Sequence, residues 1–124
     1  MGLTILKQRA EFLRVRGGLR WSTPALVGEA KPRREELAER GDITSSSRFG
    51  FTVSKKVGKA VVRNRVRRQL KEAARELLPL SRSGFDYVVI ARPPSTERPY
   101  ADLKADLATA LTRVHRAADG GRGR

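Results

Sequence analysis

The sequence predicts an α+β fold, a small sheet covered by helices, and three stretches predict it. Phe49 to Ser54 alternates large apolar residues (Phe49, Phe51, Val53) with small or polar ones, the period of a strand with one buried face. From Ala60 the period changes. Val62, Val66, Leu70, Ala73 and Leu77 recur every three or four residues, and at about 100° per residue they form one stripe of a helix over Ala60 to Leu78. Asp86 to Ala91, DYVVIA, is β-branched and aromatic with almost no polar interruption, as expected of a central strand buried on both faces. Strand, helix and strand make a βαβ unit, for which general sterics predict a right-handed crossover if the strands are parallel.

The other elements flank that unit. Ile5, Phe12 and Val15, with Leu6, Leu13 and Leu19 nearby, predict a short helix over Lys7 to Arg16 that Gly17 and Gly18 end. Trp21 to Ala30 carries Pro24 and Gly28 within an apolar run and reads as an edge strand with an irregular start. Residues 31–47 hold four cations and four anions, with Pro32, Gly41 and three serines. They read as an extended surface loop with one helical turn at most, a length variation to which no function attaches. Pro79, Ser81, Ser83 and Gly84 break the chain after the central helix. Pro93, Pro94 and Pro99 keep Arg92 to Pro99 irregular. Leu103, Leu107, Ala110, Leu111 and Val114 then mark a final packing helix over Tyr100 to Arg116. Residues 1–118 form a single domain in this reading, and 119–124, DGGRGR, a flexible basic tail.

Composition narrows the function. Apolar residues are 39% and aromatics 6% of 124 residues, so one modest aliphatic core is expected. The formal charge of +14 favours a nucleic acid partner over a membrane surface. No apolar run is long enough to span a bilayer or to serve as a secretion signal, which makes the cytoplasm the expected location. Without cysteine there is no disulfide and no thiolate metal site. His115 is the sole histidine, late in the last helix, where a place on the helix surface is expected rather than general-base work. The thirteen carboxylates are scattered among cations, with no pair or cluster suited to acid–base or metal chemistry.

The charge is concentrated. Between Lys55 and Arg75 nine cations (Lys55, Lys56, Lys59, Arg63, Arg65, Arg67, Arg68, Lys71, Arg75) face one anion, Glu72, a balance of +8. On the helical wheel Arg63, Asn64, Arg67, Arg68, Lys71 and Arg75 fall in a sector of about 140° beside the apolar stripe. Arg65, Glu72 and Glu76 lie on a third side. Like charges at i,i+4, such as Arg63 with Arg67, each cost a helix about 0.2–0.5 kcal/mol, so solubility alone does not call for this arrangement. Gly58 in the preceding SKKVGK turn, and the amides opening the helix, suit the approach of an anion.

This stretch, Ser54 to Glu76 with KVGKAVVRNRVRR at its centre, resembles the Arg-Asn-Arg signature of the bacterial ribonuclease P protein family, small basic subunits that work with a catalytic RNA. The resemblance implies a two-layer sandwich in which a small mixed sheet of about four strands is covered by helices. The implied order is α-β-β-β-α-β-α, with an unusual left-handed βαβ crossover. It also implies a partnership with the catalytic RNA and with precursor tRNA, whose 5′ leader is removed. Phosphodiester hydrolysis then rests on the RNA and its Mg2+ ions, with no catalytic residue or metal ligand on this chain. Neither a membrane nor an obligate protein partner is expected.

Lys55, Lys56, Lys59, Arg63, Asn64, Arg65, Arg67, Arg68, Lys71 and Arg75 are the residues expected to meet RNA, against the alternative of a solvated helical face. The wheel lets Arg65 brace Glu72 or a loop instead. In the family the first helix lines a groove for the leader, and Phe12 matches an aromatic position there. Four residues on, where many members carry another aromatic, stands Arg16, whose guanidinium can also lie against a base. Arg14, Phe51, Thr52 and Ser54 complete the expected leader site. Core burial competes for Phe12, Phe49 and Phe51. Two rivals share the basic helix: a ribosomal or chaperone-like RNA-binding module, and an independent protein nuclease, for which the carboxylates are lacking.

Overall fold

The computed structural model describes residues 3–32 and 47–120. Most of the loop expected at 31–47 and the last four residues of the expected tail lie outside the described residues. Five strands form one sheet: β1 (Thr4–Ile5), β2 (Leu19–Ser22), β3 (Leu26–Pro32), β4 (Arg48–Thr52) and β5 (Phe85–Ala91). Their spatial order is β1-β4-β5-β3-β2. β4 runs parallel to both β1 and β5, whereas β3 runs antiparallel to β5 and β2. The helices are α1 (Arg9–Val15), α2 (Ala60–Glu76) and α3 (Tyr100–Gly120).

The mixed α+β layout agrees with the sequence, and the strands differ in detail. β1 has two residues, too few for any period to show, and exists because Thr4 and Ile5 meet Arg48 and Phe49 on β4. The run Trp21 to Ala30 is a hairpin rather than one edge strand. Pro24 sits in its turn, where Thr23 N–H donates to the Leu26 carbonyl at 2.8 Å and Leu26 N–H to Thr23 Oγ1 at 3.1 Å. β2 takes the edge, and β3 becomes an inner strand paired on both sides.

Alternation along β5 sorts the core onto two faces. Tyr87, Val89 and Ala91 join Phe49, Leu70, Leu107 and Val114 in the main core beneath α2 and α3. Val88 and Ile90 join Leu6, Phe12 and Val15 beneath α1 on the opposite face. This two-sided burial is why DYVVIA shows no polar alternation. On the main face Gly28 lets α3 press close, since a Cβ there would stand 3.0 Å from that of Ala110.

Of the expected stripe, α2 buries Val66, Leu70 and Ala73, with Leu77 just past the helix; Val62 is half-buried, and Ala74 is buried as well. A 3-10 turn over Leu78–Leu80, with Pro79 inside it, follows. α3 runs four residues beyond the expected Arg116, taking in Asp119, which pairs bidentately with Arg82 at 2.6 Å. His115 is buried rather than on the helix surface. Its Nε2 lies 2.6 Å from the Tyr87 hydroxyl, because the helix turns this position toward the sheet along with Leu111 and Val114.

Candidate nucleic-acid interface

The basic stretch is built as a turn followed by a helix. Val53 and Val57 are buried and pin the turn to the core, and between them Ser54, Lys55 and Lys56 stand exposed. Val57 N–H donates to the Ser54 carbonyl and Gly58 N–H to that of Lys55. α2 then starts at Lys59 with no side-chain cap and no acidic residue in its first turn, although carboxylates there stabilise a helix. The apolar stripe fixes the helix to the sheet, so the cationic flank turns outward.

The cations of this stretch divide by what holds them. Arg63 Nε donates to the Gly58 carbonyl at 3.0 Å, closing the turn onto the helix. Arg67 Nη1 reaches Asn64 Oδ1 at 3.0 Å, which aligns two exposed or half-exposed polar groups on one flank. Arg65 points elsewhere and donates to the Thr96 carbonyl at 2.8 Å, bracing a loop, the place its wheel position allowed. Arg75 pairs with Glu72. Among the described residues Lys55, Lys56, Lys59, Arg68 and Lys71 have no hydrogen bond or ion pair to protein. Their charge is available to an outside anion.

On the other face α1 lies over the sheet. Phe12 is half-buried, and a Cβ on Gly50 would stand 2.6 Å from its ring carbons, so only a glycine on β4 admits the ring at this distance. Two residues along β4 on the same side, Thr52 is exposed, beside half-buried Ile90 of β5, its partner in register. Past Phe12 the sheet is thus less covered, and this edge of β4 leads directly into Ser54 and the basic turn. Arg16 is exposed at the C-terminal end of α1. Phe51 lies on the other face, packed against the main core with its ring 6.2 Å from that of Phe49. The structure therefore brings Phe12, Thr52, Ser54 and the basic turn together and leaves Phe51 apart.

Arg14 is committed within the protein. Its Nη2 lies 2.6 Å from Oδ2 of Asp86, a carboxylate with no solvent exposure, and its Nη1 donates to the Pro32 carbonyl. Arg48 meets the same carboxylate through two bonds of 2.8 Å and reaches Glu11 at 3.3 Å. Glu11 also accepts from the backbone amides of Lys7 and Gln8, which closes the first turn of α1. Although burial pushes the Glu11 carboxyl up, those two amides and Arg48 outweigh it and hold the group below the usual carboxylate range. The hydrogen bonds that Arg48 donates to Asp86 raise its pKa above the ordinary value, against the effect of burial. Sequence reasoning missed this cluster. Its one visible signal was an aspartate opening an otherwise apolar strand.

Among the described residues no three His, Cys, Asp or Glu side chains converge as a metal site, and no helix is long and apolar enough to cross a membrane. The ribonuclease P family profile matches residues 3–115. A ribonuclease P protein component from Paramagnetospirillum magneticum is 50% identical over 112 residues, covering 88% of this chain and 80% of the relative. Another from Ruegeria pomeroyi is 42% identical over 116 residues, covering 92% and 88%. The solved ribonuclease P protein of Thermotoga maritima is similar with a TM-score of 0.72 at 26% identity, over 87% of this chain and 94% of that one. The protein from Staphylococcus aureus gives 0.71 at 26% identity, over 87% and 92%. With the profile spanning residues 3–115 and a relative 50% identical over 112 residues, the chain belongs to the ribonuclease P protein component family.

Proposed function

We propose that this chain promotes 5′-leader removal from precursor tRNA by binding both the catalytic RNA of ribonuclease P and the leader, in the cytoplasm. Membership of the family supports a role in the ribonuclease P complex. The observation that carries the rest is the set of five cations on the basic turn and α2 that find no protein partner among the described residues. In this reading Lys55, Lys56, Lys59, Arg68 and Lys71 neutralise phosphates of the folded RNA, and Arg63, Asn64 and Arg67 add directional contacts. Arg65 and Arg75, held by Thr96 and Glu72, contribute less. The leader lies in the gap between α1 and the end of β4, on Phe12, Thr52 and Ser54, with Arg16 at its rim.

Mg2+ belongs to the RNA active site, where it supplies an activated water and charge stabilisation for phosphodiester hydrolysis. This chain's part is to raise the local positive potential and to hold the strand in place. With six or more phosphate contacts, RNA affinity falls by about three orders of magnitude or more between 50 and 200 mM salt. The test mixes the chain with precursor tRNA, with and without the large RNA. Stimulated cleavage that needs both supports this reading. Cleavage by the chain alone makes it a nuclease, and RNA binding without stimulation makes it a separate RNA-binding module.

A further inference from the structure

We propose that Asp86 is a positioning residue for leader recognition, which it serves by fixing α1 over the sheet and so placing Phe12 beside β4. The inference rests on the leader groove proposed above and adds the device that sets its width. Asp86 lies at the start of β5, is fully buried, and takes both guanidinium groups, Arg14 from α1 and Arg48 from β4. Arg48 also reaches Glu11 on α1. α1 is therefore attached at two points along its length, Glu11 and Arg14. Phe12 stands between them.

Such a tether is needed because α1 is short. It has seven residues, of which Val15 alone is fully buried, and about two turns of helix have little stability of their own. Apolar contact resists lifting but tolerates sliding. Two charge-assisted bonds to one carboxylate fix direction as well as distance. The ring of Phe12 has close quarters over Gly50, so a small shift of α1 carries it off its seat and alters the gap that leads to Thr52.

The charges give the proposal a test with a sign. Replacing Asp86 or Glu11 by the neutral amide makes the chain more positive beside the groove, so an electrostatic role alone would strengthen leader binding. A positioning role weakens it. In the reconstituted holoenzyme the measured quantity is the ratio of affinities for precursor tRNA with a leader and for mature tRNA. Asp86→Asn is expected to lower that ratio about tenfold, through KM rather than kcat at saturation. Glu11→Gln, half-exposed and milder for folding, is expected to lower it about threefold and decides the matter if Asp86→Asn does not fold. In a Phe12→Ala background either change should cost less than about twofold, since residues acting through one another are non-additive.

A ratio that rises or stays level in both amide variants overturns the proposal, as does an undiminished loss in the Phe12→Ala background. Loss in Phe12→Ala with none in the amide variants removes the role of Asp86 and leaves the groove. No loss in any of the three removes the groove, and the positioning role with it.

Discussion

Two sets of cations sit on opposite faces of one sheet and are held in opposite ways. On α2, Arg68 and Lys71 have no protein partner among the described residues, while Arg14 and Arg48 under α1 converge on a carboxylate with no solvent exposure. The difference teaches that charge in a basic protein does not by itself mark a binding surface. A cation facing water loses little by waiting there and gains when a phosphate replaces its counterions. A cation bound to a buried aspartate has already been matched, and leaving that partner strands a charge in the interior.

The comparison breaks most sharply at Asp86. Asp86→Ala should destabilise the fold by about 3 kcal/mol, near the low end for a broken buried pair because both arginines keep some exposure. A denaturant midpoint unchanged by the substitution would show that the cluster is ornamental to stability. The triple change Lys55→Gln, Arg68→Gln, Lys71→Gln should do the reverse. Stability hardly moves, whereas affinity for the catalytic RNA falls about a hundredfold at moderate salt and the salt slope flattens by roughly two to three. An unaltered slope would mean that these side chains do not meet phosphate.

What the sequence made legible follows the same division. The stripe Val66, Leu70, Ala73 and the one-sided charge beside it could be read because a helix repeats its environment every few residues, and the period survives in the text. The hairpin at Thr23 to Leu26 was hidden because a proline at position 24 suits the irregular start of an edge strand as well as it suits a turn. Asp86 was hidden because its partners Arg14 and Arg48 lie 72 and 38 positions away, and no local pattern carries such a distance. Phe51 was ambiguous for another reason. A strand covered on both faces offers two apolar sides, and alternation separates Phe51 from Thr52 without saying which side α1 takes.

Gly50 sharpens the comparison at a smaller scale. Gly50→Ala places a methyl against the Phe12 ring, which must turn aside or displace α1, and should cost about 1–3 kcal/mol by overpacking. Leader discrimination should drop with it. If stability falls and discrimination holds, the ring has moved without consequence and its place in the groove is wrong.

The smallest expected effect lies away from both sets of cations, at His115. Arg82 N–H donates to the Tyr87 hydroxyl at 2.8 Å, which leaves the hydroxyl's own proton for Nε2 of His115 when the ring is neutral with its proton on Nδ1. Burial, with Arg82 nearby, pulls the histidine's pKa below its ordinary value, and Asp119 only partly opposes this. Burial likewise pushes Tyr87 up to about 12, so the phenol stays protonated. The unfolded histidine binds its proton near pH 6.5 and the folded one only at lower pH. The contribution of the neutral ring is therefore whole above pH 6.5 and is lost as pH falls from there through the folded value. Between pH 7.5 and 5.5 the thermal midpoint should drop by a few degrees. His115→Gln, which keeps an acceptor but cannot titrate, should flatten that interval, and an equal slope in both proteins would assign the proton uptake to another group.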